Sequence, residues 1–204
     1  MYAAPPTCQS LLMRLSDGQD RAAWDQFVEI YAPLIYQLAQ RRGLQPADAA
    51  DVVQEVLAAV ADAFRRRKFD RSRGLFRGWL LTIARNDVNS FLAARQRRVQ
   101  PGGGAAALAA LGQIADPQEE TAWDAEYQQR LFAWAAEQVQ REVQPATWQA
   151  FWQTTVESRS GQDVAAASNM SVAAVYLAKS RVLKRLRELV RQIDEDADPS
   201  APAK

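Results

Sequence analysis

Cations gather in two places in this chain. Residues 65–98 hold eleven Lys/Arg side chains against two Asp/Glu, and residues 158–191 hold seven against two. Clustered guanidinium and ammonium groups do the chemistry of gripping phosphates, and two such blocks point to two sites on one polyanion. The intervening segments are acidic: residues 1–64 carry four basic and eight acidic side chains, residues 99–157 two and eight, and residues 192–204 one and four. The formal charge of +1 therefore conceals strong segregation. The acidic segments suit a protein partner or simply keep the chain soluble.

Other chemistries are short of parts. Histidine is absent and Cys8 is the single cysteine. That removes zinc sites of the Cys/His type, the Ser-His-Asp and Cys-His arrangements, and any internal disulfide. The glycines of "PGGGAAALAALG" are followed by no Lys-Ser/Thr pair, so they form a flexible linker rather than a phosphate loop. Carboxylates are spread along an exposed face instead of converging on a pocket. The expectation is a protein with no catalytic residues, no cofactor and no metal.

The second basic block lies in "DVAAASNMSVAAVYLAKSRVLKRLRE", Asp163 to Glu188. Asn169 tolerates the left-handed conformation that ends a helix, and Ser171 can accept from the free amides of the next one. Ala165 and Ala166 let a second helix pass close, with Val164, Met170, Val172 and Val175 apolar around the turn. The spacing predicts a helix-turn-helix, whose second helix carries Tyr176, Lys179, Ser180, Arg181, Lys184, Arg185 and Arg187. In that motif the second helix lies in the DNA major groove. An ordinary helical hairpin with a solvated basic face fits the same residues.

The elements that must position these groups are all helical. Trp24, Phe27, Val28, Tyr31, Leu34, Ile35 and Leu38 recur at helical steps. Pro33 should kink or break that helix, and Gly43 should end it. A second helix from Pro46 to about Phe64 puts Val52, Val53, Val56, Leu57 and Val60 on one stripe and Asp48, Asp51, Gln54, Glu55 and Asp62 largely opposite. "RRRKFDRSRGL" reads as a basic loop, followed by a helix from about Phe76 to Arg97. Val99 to Glu120 shifts to Pro, Gly and Ala and reads as an inter-domain linker, with a short helical piece at Ala105–Leu111. A helix of about twenty residues with Trp123, Tyr127, Leu131, Trp134 and Val139 follows, then a boundary at Pro145 and a short aromatic helix with Trp148, Phe151 and Trp152 on one face. The aromatic stripes are read as core. The tail from Asp194 has the composition of a disordered segment. No apolar run is long enough to span a membrane, and the N-terminus lacks the pattern of a signal peptide. The fold class is all-α: two small helical domains, 1–98 and 121–191, joined by a flexible linker at 99–120, with an acidic tail at 192–204.

The acidic "DAADVVQEVLAAV" helix, the basic loop, "FRGWLLTIARNDVNSFLAARQRR", the linker and "SVAAVYLAKSRVLKRLRE" come in that order over about Leu11 to Val190. Together they resemble a bacterial RNA polymerase sigma factor of the extracytoplasmic-function class. The resemblance implies a region-2-like domain that docks on core polymerase and melts the −10 element, and a region-4-like domain that reads the −35 element. It implies a cytoplasmic protein whose partners are the clamp helices of the polymerase's largest subunit, the polymerase flap, promoter DNA and, as a family expectation, an anti-sigma factor.

It also implies site residues. Asp48, Asp51, Gln54 and Glu55 would be polar contacts to the polymerase. Lys68, Phe69, Phe76, Trp79, Arg85, Asn86 and Asn89 would handle the opened −10 strand, with Arg95, Arg97 and Arg98 on the backbone. Trp79 also fits a core position. Tyr176, Leu177, Ser180 and Arg181 would face the −35 bases, while Lys179, Lys184 and Arg185 would grip phosphates. Family members often carry a Lys-or-Arg, Ser, Arg run where this chain has Tyr176, Leu177 and Ala178, which implies an unusual −35 sequence or weaker reliance on it. The rival readings are an operator-binding regulator that works without polymerase, a small carboxylate or metal enzyme, and a sigma-like relic that binds polymerase but no promoter.

Overall fold

The computed structural model describes residues 11–15, 20–66, 76–99 and 117–193. Among them it contains eight helices and no strand: α1 (Leu11–Leu15), α2 (Arg21–Arg41), α3 (Pro46–Arg65), α4 (Phe76–Val99), α5 (Pro117–Glu142), α6 (Pro145–Thr155), α7 (Gly161–Ser168) and α8 (Val172–Ile193). They form two compact units that divide between Gln129 and Arg130, inside α5. The all-α expectation holds.

Several boundaries follow from local chemistry. The Asp20 carboxylate caps α2 by accepting from the Ala23 amide at 2.9 Å. It also receives the Arg14 guanidinium at 2.9 and 3.2 Å, which ties α1 to the start of α2. Gly43 ends α2 with φ of +88°, a conformation that favours glycine. Its amide donates to the Gln40 carbonyl and the Leu44 amide to that of Ala39, the paired bonds of a Schellman turn. Pro46 and Pro145 occupy the first turns of α3 and α6, where a missing N–H costs nothing.

Pro33 neither ends nor splits its helix: α2 runs through it from Arg21 to Arg41. Ile30, Tyr31, Leu34 and Ile35 are all buried around it, so packing on both sides of the proline outweighs the lost hydrogen bond. The linker also differs from expectation at its ends. Val99 belongs to α4, and residues 117–120 are already the first turn of α5. Pro117 there is a good first helical residue, and Glu119 and Glu120 suit the positive end of the helix dipole. Residues 121–129, which the sequence reading gave to the second domain, pack with the first unit. The basic loop after α3, the short helical piece at 105–111 and the acidic tail lie outside the described residues.

In the first unit, α2 packs on α1, α3 and α4, and α3 packs on α4. Phe27, Ile30 and Leu38 of α2, Val52, Val56 and Val60 of α3, and Leu80, Ala84 and Val88 of α4 are fully buried. Each large side chain so buried contributes about 1.5–3 kcal/mol. Phe27, Tyr31, Phe64, Phe76 and Trp79 form a connected aromatic cluster with centroids 4.7–6.4 Å apart. In the second unit, α6, α7 and α8 pack on one another, around Ala150, Val164, Ala165, Val175 and Ala178, with Met170 against them. Ala165 is buried among these helices as expected, whereas Ala166 is exposed. One aromatic departs from the core reading: Trp152 is 37% exposed.

Candidate polymerase and nucleic-acid interface

The exposed side of α3 carries the carboxylates. Val52, Val53, Val56 and Val60 are buried on one side, while Asp51, Gln54 and Glu55 are exposed and Asp48 is half-buried. The helical period thus presents Asp51, Gln54 and Glu55 on an open face, with Asp48 at its edge. A groove lined by Asp48, Glu55, Ser90, Phe91, Ala94 and Arg95 runs between α3 and α4, with Arg95 3.8 Å from Asp48. Near it, burial raises the Asp87 carboxyl above its ordinary value and the charge of Glu55 adds to the shift.

The −10 candidates divide. Asn86, Arg95 and Arg97 are exposed on α4, and Trp79 is half-buried between Phe64 and Phe76. Phe76, Arg85 and Asn89, predicted to meet DNA, are instead buried, at 3%, 6% and 8% exposure. Phe76 belongs to the aromatic core. Arg85 donates from Nε to the Glu119 carboxylate at 2.8 Å. Asn89 Oδ1 accepts from Arg42 Nη1 at 2.8 Å, and Arg42 also grips both Glu119 oxygens, at 2.7 and 3.0 Å. Burial pushes the Glu119 carboxyl up, but the hydrogen bonds and charges of Arg42 and Arg85 outweigh it and hold the group below its usual value. Lys68 and Phe69 lie outside the described residues, as does the Arg98 side chain.

Sequence reasoning missed Arg42 and Glu119. Arg42 follows the last turn of α2 and precedes Gly43, so the Schellman turn fixes where its side chain leaves the helix. Glu119 sits in the stretch read as linker. The same first half of α5 brings Glu126 to Arg41 in an ion pair and Asp124 within 3.8 Å of Arg77. The Arg77 guanidinium lies 4.6 Å from the Tyr127 ring centroid, and Tyr127 stacks on Tyr31 at 5.6 Å.

In the second unit, Asn169 is left-handed at φ 52°, ψ 39°, closing α7, and the Ser171 hydroxyl accepts from the Ala174 amide at 3.1 Å to open α8. Tyr176, Leu177, Ser180, Arg181 and Lys184 are exposed, and Lys179 is half-buried. The Tyr176 ring lies over Gly161: a Cβ there would come within 2.9 Å of its Cζ, so the exposed ring would have to shift. Arg185 is not an open phosphate grip. Its guanidinium holds the Glu142 carboxylate at 2.6 and 2.8 Å and reaches Glu188 at 3.5 Å. The Arg185 hydrogen bond, opposed by burial and aided by charge, lowers the Glu142 carboxyl.

Part of the sequence has a counterpart among known families. Residues 27–98 match the family model Sigma-70 region 2. No curated protein matches the chain. The match covers 72 of the 204 residues, so it shows a likeness of this segment to sigma-70 region 2. The region 2 match takes in the acidic face of α3, the whole of α4 up to Arg98, and the Arg42–Arg85–Asn89 cluster, while Glu119 and all of α6 to α8 lie beyond it. No helix among the described residues is long and apolar enough to cross a membrane.

Proposed function

We propose that this chain is a sigma factor of the extracytoplasmic-function class, which binds core RNA polymerase in the cytoplasm, directs it to specific promoters and helps open the −10 element. The observation that carries the reading is the region 2 match over residues 27–98. Asp48, Asp51, Gln54 and Glu55 on α3 dock on the clamp helices of the largest subunit. The basic stretch before α4, with Lys68 and Phe69, and the exposed face of α4, with Asn86, Arg95 and Arg97, receive the opened strand. Unstacking a base costs a few kcal/mol, which basic and aromatic side chains offset by holding it. The turn between α7 and α8 supports a helix-turn-helix reading of the second unit, in which Tyr176, Leu177, Ser180 and Arg181 meet the −35 bases and Lys179 and Lys184 the backbone. An anti-sigma protein that holds the factor inactive belongs to the same proposal.

The test is a pull-down with purified bacterial core RNA polymerase, comparing the wild type with Asp51→Arg/Glu55→Arg. Both substitutions lie on the exposed face of α3 and leave its buried valines intact. Stoichiometric binding by the wild type, lost in the variant, is the expected result. A folded wild type that binds no core enzyme would sink the reading and leave the polymerase-independent operator-binding regulator in its place.

A further inference from the structure

Two guanidinium groups in the first unit share one carboxylate. Arg42 meets Glu119 with a fork of two hydrogen bonds, Arg85 adds a third from Nε, and Asn89 fixes the direction of the Arg42 fork. Such a fork fits a phosphate as well as a carboxylate. The pairing is incomplete. Arg85, at 6% exposure, keeps its Nη2 without a hydrogen bond, a Glu120 oxygen lying 4.0 Å away. A buried donor without an acceptor is costly. The site thus holds two cations, one hydrogen-bonded anion with a second carboxylate at its edge, and one donor to spare.

The bound anion also comes from elsewhere in the chain. Arg42, Arg85 and Asn89 all lie inside the region 2 match, whereas Glu119 stands outside it, beyond residues 100–116. The carboxylates around Glu119 repeat the pattern: Glu126 pairs with Arg41, and Asp124 approaches Arg77. Trp123 and Tyr127, both 1% exposed, hold this half of α5 in place. A strip of carboxylates laid over arginines presents what a nucleic-acid backbone would present.

We infer that Arg42, Arg85 and Asn89 form an anion site for a phosphodiester of single-stranded DNA, and that Glu119 is its resident competitor, so residues 117–129 mask the site until DNA displaces them. The inference rests on the proposed sigma function for the direction of its ligand and adds Arg42 to the DNA-binding set. It makes single-strand binding an exchange of anions: the buried guanidinium of Arg85 is never left unpaired, which would be strongly destabilising. Masking lowers the apparent affinity by the fraction of molecules that are open.

The experiment is fluorescence anisotropy of the full-length protein with a short fluorescein-labelled single-stranded oligodeoxynucleotide. Glu119→Gln removes the competing charge and should tighten binding roughly tenfold, the scale of one charge-assisted pairing. Adding Arg42→Gln to that variant should cancel the gain. Unchanged affinity in a folded Glu119→Gln protein overturns the inference. Hydrogen exchange on the unaltered protein gives a second readout: saturating oligonucleotide should expose the amides of residues 121–129, and unchanged protection overturns displacement. The core-polymerase pull-down separates the two readings. Core binding with no response to Glu119→Gln keeps the sigma function and discards the competitor. A response without core binding does the reverse.

Discussion

At the scale of single residues, charge is decided by neighbours as much as by type. Arg85, Arg185 and Arg181 look alike in sequence, yet Arg85 is buried against Glu119, Arg185 is forked onto Glu142, and Arg181 is exposed. Glu119 and Glu142 lie 34 and 43 positions from the arginines they hold, so local spacing carried no sign of them. The exposed carboxylates of α3 were legible because a helix's own period separates them from its valines. Asp87 illustrates a cost paid at one residue. Its raised carboxyl means that ionisation is harder in the folded chain than in the unfolded one. The penalty is absent below the ordinary aspartate value of 3.8 and grows as pH rises through and above it. Asp87→Asn should therefore raise the thermal midpoint at pH 7 by about 2 °C and lose that advantage near pH 3. A midpoint that falls at pH 7 in the variant would show that Asp87 is stabilised by a partner rather than strained by burial and Glu55.

At the scale of elements, the signals that succeeded were those that act locally. Gly43, Pro46, Pro145, Asn169 and Ser171 each impose a backbone state or a cap within a few residues, and the helices begin or end at them. Pro33 failed as a breaker because tertiary burial on either side of it overrode a local preference. The start of α5 was missed because Gly and Ala composition before it masked a first turn built on Pro117, Glu119 and Glu120. The α7–α8 turn gives a clean test of local control. Asn169 sits at φ 52°, where a Cβ without a helpful polar group costs about 1 kcal/mol. Asn169→Ala should lower stability by about that amount, whereas Asn169→Gly should be near neutral because glycine takes this conformation freely. Equal losses in both variants, measured by urea denaturation, would mean that the asparagine side chain, and not its backbone, holds the turn.

At the scale of the whole molecule, charge segregation becomes a division of labour. The acidic face of α3 and the basic faces of α4 and α8 lie on separate elements, so on the proposed function they serve separate partners. Effects at sites that share no contacts add rather than interact. Arg181→Ala/Lys184→Ala alters two exposed cations of α8 and touches nothing buried. That variant should bind core polymerase as the wild type does, yet lose affinity for duplex promoter DNA, with a salt slope lowered by about two, one for each phosphate contact removed. Asp51→Arg/Glu55→Arg should do the converse, losing the polymerase while its own duplex affinity holds or rises with the added positive charge. A titration of each protein against duplex DNA over a range of salt, set beside the core-polymerase pull-down, reads both halves. If the α8 variant also lost the polymerase, its cations would be contacting protein rather than phosphate. The exposed Tyr176 and Leu177 would then belong to that protein contact as well.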